Sequence, residues 1–129
     1  MVKKFLLDTN IIIALFAGDE NICKFLEKSN EIFIPVIAVG ELYFGFLKSK
    51  RAKKNISVLE KFLQSNTVLY CDSMTAKFYG EIKRTLKEKG HPIPENDIWI
   101  AAIAKQYNLS LATRDNHFKF VENLNIELM

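Results

Sequence analysis

The stretch Phe5-Leu6-Leu7-Asp8-Thr9-Asn10-Ile11-Ile12-Ile13 decides the fold of this 129-residue chain. Its first three residues are apolar and are typical of a short buried strand. Asp8 can accept hydrogen bonds from the first turn of a helix, so we expect a helix to begin near Thr9 or Asn10. A strand that runs directly into a helix is the repeating unit of α/β proteins, and it places Asp8 at the carboxyl end of the strand.

Strand and helix patterns alternate along the rest of the chain. We predict further strands at Glu31–Ile34, Thr67–Cys71 and Leu109–Thr113, with a short last strand at Ile126–Leu128. We predict helices from Thr9 or Asn10 to Gly18, then over Asp19–Ser29, Pro35–Lys50, Ala52–Gln64, Ser73–Lys89 and Glu95–Tyr107. This order predicts a three-layer α/β/α sandwich around a mostly parallel sheet, with residues 1–129 forming one domain.

The composition excludes several classes of protein. Apolar residues make up 49% and charged residues 26%, a globular balance that argues against disorder and fibrous repeats. No apolar run is long enough to span a membrane, and polar residues 8–10 interrupt the only stretch that resembles a signal peptide. Cys23 and Cys71 form no metal or redox motif, so we expect buried, reduced thiols and a cytoplasmic protein. The net charge of +3 permits a polyanionic partner without requiring one.

Four carboxylates stand in apolar sequence, namely Asp8, Glu41, Asp97 and Asp115. Each has an ordinary structural explanation: Asp8 as a helix cap, Asp97 as a first-turn acid and Asp115 as a turn residue. Glu41 fits such an explanation least, because it is the only charged residue from position 32 to 47 and would lie on an apolar helix stripe. Uncompensated buried charges are costly, so the set favours a shared divalent cation, for which Mg²⁺ is the best candidate.

The predicted topology favours convergence of these acids. Asp8 and Asp115 both follow predicted strands, and ligands of open α/β sheets bind beyond the carboxyl ends of the strands. The two residues meet only if their strands are neighbours or nearly so, which the sequence leaves open.

The motifs around these acids resemble those of PIN-domain ribonucleases, and among them the small VapC-type toxins of toxin–antitoxin pairs. The matching segments are Phe5-Leu-Leu-Asp-Thr-Asn10, Gly40-Glu-Leu-Tyr-Phe-Gly45, Asn96-Asp-Ile-Trp-Ile-Ala-Ala102, and Leu111-Ala-Thr-Arg-Asp115 with Phe118 after it. Each motif is weak alone, whereas the four in this order are specific, and they cover essentially the whole chain.

The resemblance implies a PIN-like fold with an acidic pocket that binds Mg²⁺, with Mn²⁺ as a substitute. It assigns metal binding and catalysis to Asp8, Glu41, Asp97 and Asp115, and it places Thr9, Asn10, Asn96 and Thr113 around them. It also implies an RNA substrate, a cognate antitoxin whose extended segment covers the acidic groove, and a homodimer.

For the reaction, we expect Asp8 and Asp97 to bind the principal metal. Glu41 and Asp115 would bind a second metal or hold its waters. No histidine lies within the motifs, so a carboxylate is expected to assist proton removal, and His117 is interpreted as a surface imidazole.

Because an acidic pocket repels RNA, basic residues elsewhere are expected to hold the phosphates. The candidates are Arg114 and, in the basic segment 48–54, Lys48, Lys50 and Arg51. Four basic residues between positions 83 and 89 form a second candidate patch, and either patch could equally be a solvated helix surface. Phe44 could stack on a base, although packing in the core or against a partner is the stronger expectation.

Three alternatives remain open at the level of sequence. The first is a PIN-type RNA-processing nuclease without an antitoxin. The second is a phosphoacceptor signalling domain that uses Asp72, although no lysine follows the strand Leu109–Thr113 as such a domain requires. The third is a non-catalytic module that binds RNA or protein and retains the acidic pocket for structure.

Overall fold

A parallel sheet forms the centre of the protein. The computed structural model describes residues 3–28 and 31–129, and within these ranges the sheet has five strands in the order β3-β2-β1-β4-β5. The strands are β1 (Lys4–Leu7), β2 (Glu31–Pro35), β3 (Thr67–Leu69), β4 (Ser110–Thr113) and β5 (Ile126–Leu128). Every neighbouring pair is parallel, which confirms the predicted α/β class.

Helices connect the strands. They are α1 (Thr9–Phe16), α2 (Glu20–Lys28), α3 (Val36–Leu47), α4 (Ala52–Gln64), α5 (Ser73–Lys89) and α6 (Glu95–Gln106), with a 3-10 helix at Asn116–Phe120. An aspartate cap with a reciprocal threonine bond begins α5, and Gly90 in the left-handed conformation ends it, as the sequence predicts. Among the described residues, no helix is long and apolar enough to cross a lipid bilayer.

The sheet separates two hydrophobic clusters. Successive side chains of a strand point to opposite faces, so Phe5 and Leu7 of β1 join one cluster and Leu6 joins the other. The first cluster contains residues of α1, α2, α3 and α4, and the second contains residues of α5, α6 and the 3-10 helix. The predicted three-layer sandwich is therefore confirmed.

A few predicted boundaries and environments were wrong. Pro35 ends β2, where it pairs with Leu69, and the helix starts one residue later. The third strand is shorter than predicted, and Cys71 beyond it is exposed. Cys23 is only partly buried, so the expectation of two buried thiols was wrong. The predicted end of the second helix at Ser29 lies outside the described residues.

The strand order creates a crevice at the carboxyl edge of the sheet. The chain runs from β1 outward to β2 and β3, then returns to place β4 on the other side of β1. At such a reversal the following segments leave in opposite directions and open a space above the strand ends. Asp8 follows β1 and Arg114 follows β4, so the neighbouring strands that the convergence of the acids requires are present.

Candidate active site

Asp8 stands at the base of the site, between β1 and α1. Its backbone N–H continues the sheet by donating to the carbonyl of Ala112 at 3.0 Å. Its Oδ1 accepts a 2.8 Å hydrogen bond from the N–H of Thr9, which is the predicted helix cap. Only 3% of Asp8 is exposed, so a charge on this carboxyl is largely removed from water.

Thr113 and Asn10 connect Asp8 to Asp115. The hydroxyl of Thr113 donates to Asp8 Oδ2 at 2.7 Å and accepts from the backbone N–H of Asp115 at 3.0 Å. The amide nitrogen of Asn10 lies 3.2 Å from Asp8 Oδ2 and 3.2 Å from Asp115 Oδ2, so it bridges the two acids. Side chains from both ends of the chain thereby fix these two carboxylates.

Glu41 and Asp97 enter the site from two helices. Glu41 lies in α3 and its Oε1 accepts a 2.7 Å hydrogen bond from the hydroxyl of Thr9. Asp97 is the third residue of α6. Pro94 immediately precedes this helix, where proline is tolerated because the first helical turn needs no backbone N–H from it. Contacts between α3 and α6 bring the two acids to the same end of the sheet.

The four predicted carboxylates line a single cleft of about 520 Å³. The lining residues are Asp8, Thr9, Asn10, Ile13, Glu41, Pro94, Glu95, Asn96, Asp97 and Asp115. A neighbouring cleft of about 530 Å³ shares Asn10 and Ile13 with it and extends to Arg114. Thr113 supports the cleft from the buried end of β4. The sequence reasoning missed Glu95, whose carboxylate is paired with Lys83 at 3.0 Å.

Burial and mutual repulsion raise the pKa of two of these acids. Burial is the main cause for Asp8; hydrogen bonds from Thr113 and Thr9 oppose the increase, and the charges of Asp115 and Glu41 add to it. Burial and the charge of Asp8 raise the pKa of Asp97 to about 6, although His117 lowers it. The site therefore disfavours the simultaneous ionisation of its carboxyls when no cation is present.

The donor set fits a hard divalent cation. Asp8 is held by a backbone amide, a hydroxyl and a carboxamide, all of them neutral. Of the ion pairs that the described ranges form, only that between His117 and Asp97 reaches one of the four carboxylates. Oxygen donors with uncompensated negative charge are those that Mg²⁺ and Mn²⁺ prefer.

His117 belongs to this site, so its interpretation as a surface imidazole was wrong. Its Nε2 lies 2.8 Å from Asp97 Oδ2, and 30% of its side chain is exposed, against 14% for Asp97. One signal could have revealed it. His117 stands two residues after Asp115 and one before the buried Phe118, so the short helix that anchors Phe118 also turns the imidazole toward α6.

The predicted RNA-binding residues lie outside the acidic cleft. Arg114 is at the edge of the neighbouring cleft, where its Nη2 pairs with Asp19 Oδ2 at 2.7 Å. The ammonium of Lys48 lies 4.2 Å from the ring centre of Phe44, which is 65% exposed and so does not pack in the core. Lys50 and Arg51 are exposed in the turn before α4.

The second basic patch is partly neutralised. Lys83 pairs with Glu95, Arg84 lies 3.9 Å from Glu88, and Lys89 pairs with Glu122 at 2.6 Å. This region is therefore a weaker candidate for phosphate binding than the segment that begins at Lys48.

Comparison with known proteins places the fold and site in a known class. The PIN domain family model matches residues 5–124, and the chain belongs to this family. It is 37% identical over 114 residues to Ribonuclease VapC2 of Haemophilus influenzae, covering 87% of this chain and 86% of that protein. It is 31% identical over 129 residues to the tRNA(fMet)-specific endonuclease VapC of Shigella flexneri, with 96% of each covered.

A solved structure gives the same result. The chain matches one in the crystal structure of VapBC2 from Rickettsia felis bound to a DNA fragment from their promoter. The TM-score is 0.91, the identity is 33%, and 98% of each chain is covered. The resemblance to VapC-type PIN proteins is thus confirmed.

Proposed function

We propose that this protein is a divalent-metal-dependent endoribonuclease and the toxin of a toxin–antitoxin pair, with residues 1–129 acting as one nuclease domain. The observation that carries the proposal is the convergence of Asp8, Glu41, Asp97 and Asp115 on one cleft. Relatives that span nearly the whole chain are named ribonucleases or endonucleases, and relatives of known structure are VapBC complexes, which supports the same function.

The four carboxylates are proposed to hold the cation, Mg²⁺ or in its place Mn²⁺. Asp8 and Asp97 bind the principal ion, while Glu41 and Asp115 hold a second ion or its waters. A bound cation neutralises charge on the scissile phosphate and makes water a stronger nucleophile. Thr9 and Thr113 keep the oxygens of Glu41 and Asp8 in place by hydrogen bonds of 2.7 Å each.

Glu41 is the proposed acceptor of the proton from the attacking water. Its Oε1 is engaged by Thr9, which leaves Oε2 to accept a hydrogen bond from a water and then its proton. In the hydrolysis one oxygen–phosphorus bond forms from that water, one bond from phosphorus to a ribose oxygen breaks, and the leaving oxygen takes up a proton from solvent water to become a hydroxyl. Asn96, in the wall of the cleft, supplies an amide group that can bond phosphate or ribose oxygens, whereas the Asn10 amide nitrogen is engaged by Asp8 and Asp115.

RNA is proposed to follow α3 away from the cleft. Glu41 and Lys48 are seven residues apart, so they lie on the same side of the helix and about 10 Å apart along its axis. Phe44, exposed between them, offers a ring on which a base can stack. Lys48, Lys50 and Arg51 would bind phosphates at the far end of this path, and Arg114 would do so at the neighbouring cleft.

The proposed partners are a cognate antitoxin and a second copy of the chain. An antitoxin segment that covers the acidic cleft and its neighbour would exclude RNA from both. Exposed apolar residues on α3 and α4, among them Leu47 and Val58, offer surface for either partner. Homodimerisation is tested by measuring the molar mass in solution.

The function is tested by incubating the purified protein with a mixed RNA pool that includes tRNA. Reactions contain Mg²⁺, Mn²⁺ or a chelator, and the Asp97→Asn and Asp72→Asn variants are compared with the wild type. Asp72 is the matched control because it also stands at the start of a helix but lies outside the cleft. We expect metal-dependent cleavage that Asp97→Asn loses and Asp72→Asn retains.

Equal cleavage by Asp97→Asn would contradict the proposed site. The toxin role is tested in cells, where expression should arrest growth and the product of a neighbouring antitoxin gene should relieve the arrest. Cleavage without an antitoxin gene would favour an RNA-processing nuclease. An Asp97→Asn variant with an unchanged cellular phenotype would favour a non-catalytic binding module.

A further inference from the structure

His117 lies beside the acidic cleft, in contact with Asp97, and has a fixed orientation. It belongs to the 3-10 helix Asn116–Phe120, and the next residue, Phe118, is fully buried in the core. The imidazole packs against the Phe118 ring with a centroid distance of 4.8 Å, and its Nε2 lies 2.8 Å from Asp97 Oδ2. The ring is therefore held by both packing and a polar contact rather than free in solvent.

The imidazole belongs to a compact group of three side chains. One oxygen of Asp97, one oxygen of Asp115 and a ring nitrogen of His117 all lie within 4.8 Å of one another. No other group of three or more histidine, cysteine, aspartate or glutamate residues in ranges 3–28 and 31–129 meets this spacing. The most compact set of metal-binding atoms in the cleft is thus two carboxylates and a nitrogen.

One of these distances has the size expected between neighbouring ligands of a cation. With bonds of about 2.1 Å, neighbouring ligands of an octahedral ion lie about 3 Å apart. The 2.8 Å between His117 Nε2 and Asp97 Oδ2 is close to that separation, which is also that of a hydrogen bond. An oxygen of Asp115 lies within 4.8 Å of a metal-binding atom of each of these residues, so a second carboxylate can reach the same ion.

We propose that Asp97 and Asp115 share one cation with His117 as its nitrogen ligand, which replaces the assignment of Asp115 to a second ion, and that His117 makes the site select Mn²⁺ over Mg²⁺. Imidazole is a softer ligand that suits transition ions, whereas Mg²⁺ prefers oxygen donors and retains its waters. The proposal rests on the proposed metal-dependent function and goes beyond its carboxylate site. It adds a residue that sets the choice of ion.

The test is electron spin echo envelope modulation of Mn²⁺ bound to tag-free protein. Directly coordinated nitrogen gives a characteristic ¹⁴N modulation, and histidine labelled with ¹⁵N should replace it with a ¹⁵N signal. His117→Gln and His117→Ala are compared with the wild type. His91→Gln is the matched control, because that ring stacks on Phe120 at 4.0 Å and, unlike His117, belongs to no group of metal-binding side chains in the described ranges. Affinities for Mn²⁺ and Mg²⁺ are measured on the same proteins.

We expect the histidine signal in the wild type and in His91→Gln, and its loss in both His117 variants. The dissociation constant for Mn²⁺ should rise about tenfold or more in those variants, with little change for Mg²⁺. Bound Mn²⁺ without a histidine signal, or equal weakening of both ions, would overturn this proposal and leave the carboxylate site standing. Failure of the wild type to bind Mn²⁺ at all would overturn the proposed metal-dependent function as well.

Discussion

The hydroxyl of Thr113 donates a 2.7 Å hydrogen bond to Oδ2 of Asp8, a residue 105 positions earlier in the chain. Both residues are buried, and they stand at the ends of the neighbouring strands β4 and β1. The same hydroxyl accepts the N–H of Asp115, so one oxygen atom fixes the positions of two carboxylates. The register of the two strands is thus coupled directly to the geometry of the site.

The first prediction concerns this hydroxyl. Thr113→Val keeps the shape of the side chain but removes its hydrogen bonds to Asp8 and Asp115. Loss of a residue that orients metal ligands typically lowers activity or metal affinity about 10- to 100-fold, and we expect cleavage to fall in this range. Cleavage rates at several Mg²⁺ concentrations measure the effect. Thr113→Ser retains the hydroxyl and should retain most of the activity; a fully active valine variant would contradict the prediction.

The second prediction concerns the pH dependence of stability. Burial and the charge of Asp8 raise the pKa of Asp97 to about 6. A raised carboxyl pKa means that the folded state binds the proton more tightly than the unfolded state does. Protonated Asp97 therefore stabilises the folded state relative to the unfolded state. This stabilisation is complete below the ordinary pKa of 3.8 and is lost as the pH rises through about 6.

In chelator, the free energy of unfolding should therefore fall between about pH 4 and about pH 7, by at most about 3 kcal/mol from Asp97. Denaturant unfolding at each pH measures it. Mg²⁺ should restore stability at neutral pH, because an ion that binds only the folded state stabilises it. Asp97→Asn should flatten this dependence and respond less to Mg²⁺. A wild-type free energy of unfolding that changes with neither pH nor Mg²⁺ would contradict this prediction.

The third prediction concerns Arg114, which pairs with Asp19 beside the acidic cleft. Arg114→Ala should weaken RNA binding and reduce by about one the slope of the logarithm of affinity against the logarithm of salt concentration. Asp19→Asn removes the competing carboxylate and should strengthen binding. Stability should change little, because the Arg114 side chain is 41% exposed and asparagine at position 19 can still accept the hydrogen bond from the N–H of Ile22. Binding of an uncleaved RNA to the Asp97→Asn protein at several salt concentrations tests this, and identical slopes would count against a phosphate contact.

The fourth prediction separates stability from activity. Asp72 caps α5 through a 3.0 Å bond from the N–H of Thr75, and it lies outside the acidic cleft. This role as a cap accounts for Asp72 without a phosphoacceptor function. Asp72→Ala should lower the melting temperature and leave cleavage unchanged, whereas Asp72→Asn should keep both, because asparagine is also a good cap. Loss of cleavage in a folded Asp72→Ala protein would show that the boundaries of the site are misplaced.

Much of the fold and the four acids could be predicted because their signals are local. Asp8 stands between an apolar strand and an apolar helix, and Glu41 interrupts an apolar helix stripe, so their neighbours in sequence already show that they are unusual. Strand ends and helix starts follow from the same short-range patterns. Their convergence needed the order of the strands, which no local pattern specifies.

The remaining site contacts depend on long-range packing. The place of His117 two residues after Asp115 indicates that it lies near the site, but its contact with Asp97 depends on the burial of Phe118 between the sheet and α6. Arg114 pairs with Asp19, which lies 95 positions earlier in the turn before α2. The apolar sequence around Phe44 predicts a core residue. Its side chain instead faces solvent, because the opposite side of α3 packs against the sheet.

The pairing of β1 with β4 also determines at what point in folding the proposed nuclease site is complete. A partly folded chain in which β1, β2 and β3 have already paired holds Asp8 but lacks Thr113 and Asp115 beside it. Pairing β4 with β1 must close the long loop between them before the contacts of the site can form. A chain that is folded elsewhere would therefore not cleave RNA until β4 is in place beside β1.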